Sequence, residues 1–153
     1  MHVVRYAAIA FFIAALPVFL IATNVRWVIN APVLYSYGFD KYDIPTRTGI
    51  DRGELLLAGG QIRDYFNNDE EFLDVRVRFR DGVRRSIYND REVLHMKDVK
   101  GLVKGVYWTQ WLTGAYLVAF SVIGLVSARR RFLPRLGRYV GLGGVATIGL
   151  VLM

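Results

Sequence analysis

Two stretches of this chain carry no charged side chain: residues 6–23 (YAAIAFFIAALPVFLIAT) and 106–127 (VYWTQWLTGAYLVAFSVIGLVS). A helix needs about 20 apolar residues to cross the hydrocarbon core of a bilayer, where its backbone polar groups must be satisfied internally. Both runs are long enough, so they are read as the first two transmembrane helices. Everything else must then fold between them or after them. Pro17 lies inside the first run; membrane helices tolerate proline, and it predicts a kink and no particular function. Residues 139–153 (YVGLGGVATIGLVLM) are also uncharged. They predict the start of a third transmembrane helix, cut off by the end of the chain. The first run also has the layout of a cleaved signal peptide, with Arg5 ahead of an apolar stretch. It is longer than the apolar part of most such peptides, and no clear small-x-small site follows it. Retention is the expectation.

The net charge of +7 could suggest a nucleic-acid partner. Its distribution argues otherwise. Residues 24–105 hold fourteen Lys and Arg against all thirteen acids, a net of +1. The other six charges are Arg5, Arg129, Arg130, Arg131, Arg135 and Arg138, all flanking the apolar runs. Short loops rich in Lys and Arg stay on the cytoplasmic side. The expected topology therefore has a cytoplasmic amino terminus, an extracytoplasmic domain at 24–105 and a basic cytoplasmic loop at 128–138. No nucleic-acid partner is expected. Trp27, Tyr107, Trp108 and Trp111 fall near the expected outer boundary, where amphipathic rings prefer the interface. The chain has no cysteine, so disulfides, metal thiolates and thiol nucleophiles are excluded.

The segment 24–105 has readable parts. Residues 30–45 (NAPVLYSYGFDKYDIP), rich in tyrosine and turn formers, predict irregular structure at the membrane interface. Asp51 with Glu54 three positions on predicts a capping box that opens a helix through Leu55, Leu56, Ile62, Tyr65 and Phe66, with Gly59 and Gly60 weakening it. Val75, Val77 and Phe79 alternate with arginines, and Asp81-Gly82 makes a turn before residues 83–88 return. That predicts a hairpin buried on one face. The fold class is thus an α-helical membrane bundle with a small α+β extracytoplasmic cap between the first two spans. A cap of this size is small to stand alone.

Asn89 or Asp90 can cap a further helix, REVLHMKDVKGLVKG (residues 91–105), which leads into the second span. At about 100° per residue, Lys97, Lys100 and Lys104 share one side. His95 lies opposite, near Arg91, Glu92, Asp98, Val99 and Leu102. A three-lysine stripe is expected to face water, which would turn His95 inward. A buried histidine satisfied by Glu92 or Asp98 can be purely structural. It can equally be a general base, since imidazoles titrate near neutral pH and a carboxylate can fix the tautomer. A metal site is not expected, because one histidine and two acids on one helix are a thin ligand set. No cofactor is expected either.

The runs LYSYGFDKYDIPTRTGI (34–50), IRDYF (62–66) and above all YNDREVLHMKDVKGL (88–102) resemble the lipoprotein intramolecular transacylase (Lit) family of bacterial integral membrane proteins. The resemblance extends from the first span to the second. It implies a membrane acyltransferase at the outer face of the bacterial cytoplasmic membrane, acting on lipoproteins, with membrane lipid as the other partner. The implied reaction moves an O-acyl chain of a diacylglyceryl-modified cysteine to that cysteine's own α-amino group. His95 matches a family histidine implied in the chemistry and would serve as base, with Glu92 and Asp98 beside it. Amine and ester belong to one molecule, so positioning can supply much of the rate and no protein nucleophile is needed. The oxyanion would need a donor: Arg91, the hydroxyl of Tyr35 or Tyr42, or backbone N–H groups. A cleft is expected where Tyr35, Tyr42 and His95 approach one another. There is no G-x-S-x-G elbow, and His95 to Asp98 is not the H-x-x-x-x-D spacing of glycerolipid acyltransferases. The family pattern has four spans and a second outward histidine. This sequence offers only His2 and His95, which implies a fragment or a reduced relative. The alternative function is a noncatalytic membrane protein whose outer domain binds lipid or a partner protein.

Overall fold

The computed structural model describes residues 2–153, with the backbone alone at Arg129. The chain is mostly helical. Helix α1 spans His2–Asn30, α2 Pro32–Lys41, α3 Ile44–Thr48 and α4 Arg52–Asn67. Strands β1 (Arg76–Arg78) and β2 (Arg84–Ser86) follow, then α5 (Asp90–Ala128), a 3-10 turn at Arg129–Arg131 and α6 (Leu133–Leu152). Two compact units result: residues up to Val25 with Val106–Met153, and Arg26–Gly105. Helix α5 is unbroken from Asp90 to Ala128.

In the first unit, Phe12 and Ala15 of α1 and Leu117 of α5 form the core, with Leu16, Phe19, Phe120 and Tyr139 packed around it. The rings of Phe12 and Phe120 are 4.7 Å apart, and Phe11 meets Tyr116 edge-on at 4.6 Å. Polar groups are satisfied locally: Tyr116 donates its hydroxyl to Ala8 O at 2.7 Å, and Gln110 Nε2 donates to Thr23 Oγ1 at 3.0 Å. Gly143 lets α6 approach α1 closely. A Cβ there would sit 2.7 Å from Leu16 Cδ2, which is the small-residue packing that membrane helices use. Helices α1 and α5 are long and apolar enough to cross a bilayer. In α5 only 6% of the most apolar window is buried within the chain, the opposite of a helix in a soluble core. Helix α6 begins at Leu133, ahead of the expected start at 139. Pro134 is pre-shaped for a first helical turn, and the arginines there raise no obstacle to one.

The second unit is built on α4 and the hairpin. Leu55, Ala58, Gly59, Tyr65 and Phe66 line the buried face of α4 at helical spacing. Val75 and Val77, both 0% exposed, supply the strand side of that core. Strand β1 pairs antiparallel with β2, with Arg76 opposite Ser86, Val77 opposite Arg85 and Arg78 opposite Arg84. The turn needs Gly82, whose φ is +80°. Asp51 caps α4 by accepting from Gly53 N at 2.8 Å. Glu54 does not complete the expected box; its Oε2 accepts from Arg78 N at 2.9 Å and ties the helix to β1 instead.

The tyrosine-rich segment differs from expectation. It forms α2 and α3, separated by Asp43 in the left-handed region (φ 48°). Pro32 starts α2 with its preset φ. Arg52 then clamps α2 to α4, with Nε on Asp40 Oδ1 at 2.8 Å, Nη2 on Oδ2 at 2.7 Å and Nη2 on Ser36 Oγ at 3.0 Å.

Candidate functional site

The site residues expected from the sequence centre on the first turns of α5. Asn89 is the N-cap, and the cap is reciprocal. Glu92 N donates to Asn89 Oδ1 at 3.0 Å, and Asn89 N donates to Glu92 Oε2 at 2.8 Å. This capping box satisfies two of the donors that a helix start leaves unpaired. It also occupies the Glu92 carboxylate with a backbone partner.

Beyond the cap, the helix is turned the other way from expectation. The lysine stripe lies along the segment 68–71, with Lys100 buried and Lys97 and Lys104 at its edges. Lys100 is 6% exposed, and its Nζ donates to Asn68 Oδ1 at 2.8 Å and to Glu70 O at 2.6 Å. Its ammonium also stands 4.0 Å from the centre of the Tyr65 ring. One turn to either side, Lys97 pairs with Glu71 at 2.6 Å and Lys104 with Asp69 at 2.9 Å. The expectation that three lysines must face water fails because the acidic segment 68–71 (NDEE) provides acceptors for all of them. Lys97 and Lys104 keep nearly half of their side chains exposed, and the buried Lys100 charge is met by two oxygens. Burial pushes the Lys100 pKa down, while the Glu71 carboxylate holds that of Lys97 up. The hydrogen bond from Lys104 keeps the Asp69 carboxyl below its ordinary range.

His95 accordingly lies on the exposed side of α5, with Arg91, Glu92 and Asp98 exposed as well. The inward-facing histidine is corrected: the opposition of His95 and the lysines holds, but the direction is inverted. Tyr35 and Tyr42 each have local contacts of their own. Tyr35 lies against Gly59 and donates its hydroxyl to Ile29 O at 3.0 Å. Tyr42 closes the end of α2 with its backbone N–H on Gly38 O, and the residue is 59% exposed, its ring beside the Lys41 ammonium.

The structure brings together a different set. Tyr88, half-buried just before the capping box, feels both Glu92 and Tyr35. Its pKa is raised chiefly by burial, then by the Glu92 charge and by Tyr35. Ser86 fixes the approach, its hydroxyl donating to Tyr88 O at 3.0 Å and accepting from Tyr88 N at 3.2 Å. A phenol kept neutral in this way is a hydrogen-bond donor at every physiological pH. Tyr88 was open to notice in the sequence as the residue ahead of the cap. Nothing in composition or spacing sets it apart from the chain's other tyrosines. Among the described residues, no group of three or more His, Asp or Glu is placed to hold a metal ion.

Within one unit, then, there is an exposed imidazole on a firmly capped helix, a neutral phenol nearby in sequence, and a lysine clamp that fixes which face of the helix is presented. Residues 10–153 match the family profile described as lipoprotein intramolecular transacylase Lit. The chain belongs to that family, whose activity is intramolecular acyl transfer on lipoproteins. No curated protein and no solved structure matches the chain.

Proposed function

We propose that the protein moves an O-acyl chain of a diacylglyceryl-modified lipoprotein cysteine onto the α-amino group of the same cysteine, at the external face of the bacterial cytoplasmic membrane. The observation that carries this is the family match over residues 10–153. The membrane reading is supported by α1 and α5, and by the large apolar side chains they leave uncovered, among them Val118, Val122, Ile123 and Val126. Exposed apolar surface of that extent marks contact with lipid or protein. In this reading α1 and α5 span the membrane, the amino terminus and the arginine loop are cytoplasmic, and the unit around α4 and the hairpin is the extracytoplasmic α+β cap. Residues 139–153 belong to a third membrane helix.

The chemistry balances without a protein nucleophile. The amine nitrogen attacks the ester carbonyl carbon, a base takes the amine proton, and the C–O bond breaks with the proton delivered to the departing glycerol oxygen. An amide and a free hydroxyl result. His95 is the base in this scheme, presented on an open face that the substrate itself completes. Glu92 serves the helix cap first, which leaves Asp98, one turn along, as the carboxylate able to steady the imidazole. Arg91 is the charged donor for the oxyanion. Tyr88 adds a neutral one, and Tyr35 and Tyr42 line the approach.

The exposure of His95 also favours a second reading, a noncatalytic membrane protein whose outer unit binds lipid or a partner protein. One experiment separates the two. The chain is expressed in a bacterium lacking other lipoprotein N-acylation, and lipoprotein amino termini are analysed by mass spectrometry. Wild-type protein is expected to yield the N-acylated lyso-form and His95→Ala none. Equal product from both removes His95 from the mechanism, and no product from either removes the acyl transfer.

A further inference from the structure

The unit formed by residues up to Val25 and Val106–Met153 contains no aspartate or glutamate, yet it holds six arginines. Its counter-ions must come from outside the unit. The same unit has a groove of about 590 Å³ between α1, α5 and α6, within the usual size range of a ligand site. Its wall along α5 is the stripe Tyr116, Ala119, Phe120, Ile123, Gly124, Ser127, and Arg5 and Arg135 line it too. A second hollow, lined by Ser127, Ala128, Arg130, Arg131 and Arg135, shares three of its residues with the groove. The apolar groove therefore opens into an arginine-lined basin.

The register of α1 on α5 shows which end is charged. Thr23 meets Gln110, and Gly114 lies under the Phe19 ring. Continuing this antiparallel pairing puts Arg5 level with Ala128, at the same end as Arg135. From Tyr116 to Ala128 the stripe is about 18 Å long at ~1.5 Å per residue. That is close to the hydrocarbon depth of one leaflet, roughly half of ~30 Å. An amphiphile with one long apolar chain and an anionic head fits both the length and the charge.

We propose that this groove and basin hold one anionic phospholipid, with an acyl chain along the α5 stripe and its phosphate against Arg5, Arg130, Arg131 and Arg135. The proposal rests on the membrane reading of α1 and α5 and not on acyl transfer. The full chain is reconstituted in nanodiscs of equal phosphatidylglycerol and phosphatidylcholine, released into mild detergent, and its retained lipid identified by native mass spectrometry. Wild-type protein is expected to keep phosphatidylglycerol over phosphatidylcholine by about tenfold, as several arginines at an anionic head imply. The double variant Arg5→Gln, Arg135→Gln should retain both lipids equally, while Arg138→Gln, which does not line the groove, keeps the preference. Ala119→Phe, which fills the groove, should retain neither lipid with its helix content unchanged by circular dichroism. Equal retention by wild type overturns the proposal, as does a preference that survives the double variant. So does displacement of the lipid by millimolar inorganic phosphate, or a lipid-free dimer in its place. Recovery of the protein from the soluble fraction without detergent would overturn the membrane reading itself, a distinct result.

Discussion

The two units handle charge in opposite ways. The one spanning Arg26–Gly105 holds every acid in the chain and nearly as many acids as bases, and it pairs them internally: Arg52 with Asp40, Lys97 with Glu71, Lys104 with Asp69. The other has arginines alone. In the first, charges are part of how the fold closes. In the second, the fold closes on Phe12, Ala15 and Leu117, and Arg5, Arg130, Arg131, Arg135 and Arg138 are exposed. Counting charges over the whole chain hides this difference, because +7 is the sum of a nearly neutral unit and a purely basic one.

The sharpest break in the comparison would come from Tyr65. Its ring is 1% exposed, lies under the Lys100 ammonium, and its hydroxyl donates to Glu71 O at 3.0 Å. Tyr65→Ala is expected to cost about 3–5 kcal/mol. Amide hydrogen exchange should rise throughout 26–105 and stay unchanged in α6; a rise in both units would mean that they do not fold as described.

Lys100→Ala should cost about 1–3 kcal/mol, because it takes the ammonium donor from Glu70 O and leaves Asn68 Oδ1 with only its bond from Glu70 N. Lys100→Met keeps the stem and loses only the donor, so the gap between the two variants measures packing against hydrogen bonding. Chemical denaturation read by Tyr and Trp fluorescence gives both values. If neither differs from wild type, the lysine face is not clamped inward. Arg138→Gln, in the acid-free unit, should stay within a few tenths of a kcal/mol by the same measurement.

Asn89→Ala should cost about 1 kcal/mol through loss of the cap. Glu92→Gln preserves a capping box and is expected to leave both stability and lipoprotein N-acylation near wild type. Loss of acylation with stability intact would return the Glu92 carboxylate to the reacting site.

The smallest effect is that of acid. Asp40 and Asp69 are held below the ordinary carboxylate value of 3.8, Asp40 by its hydrogen bond from Arg52 and Asp69 by that from Lys104. A carboxyl whose folded value is depressed stabilises fully above 3.8, and that contribution fades as pH falls from there through the folded value. Hydrogen exchange in 26–105 should therefore loosen modestly below pH 3.8, while the unit without acids stays level. Equal loosening in both would point to a general effect of low pH.

Local signals in the sequence suffice where the residues that decide a feature are neighbours. The hairpin was legible because Asp81-Gly82 demands a positive φ and the valines alternate with arginines. The start of α4 was legible at Asp51, since a cap acts within three residues. Glu54 was not, because its partner is Arg78, on a strand that only tertiary folding brings near. Helix α2 escaped for the same reason; the Arg52 clamp and the seat of Tyr35 on Gly59 hold a segment of weak intrinsic preference. On α5, spacing placed His95 opposite the lysines. Which side faces in depended on 68–71, some thirty residues earlier in the chain. A charge stripe read without its possible partners gives the right axis and the wrong sign.

Lys100 has a practical consequence. The chain has four lysines, and Lys100 is the one whose amine is shut away behind Tyr65, Asn68 and Glu70. An amine-selective reagent can reach it only during those moments when α5 lifts from the 68–71 segment. The rate of its acylation by such a reagent, set against that of Lys41, would thus time the breathing of this part of the protein in intact cells, with no label engineered in.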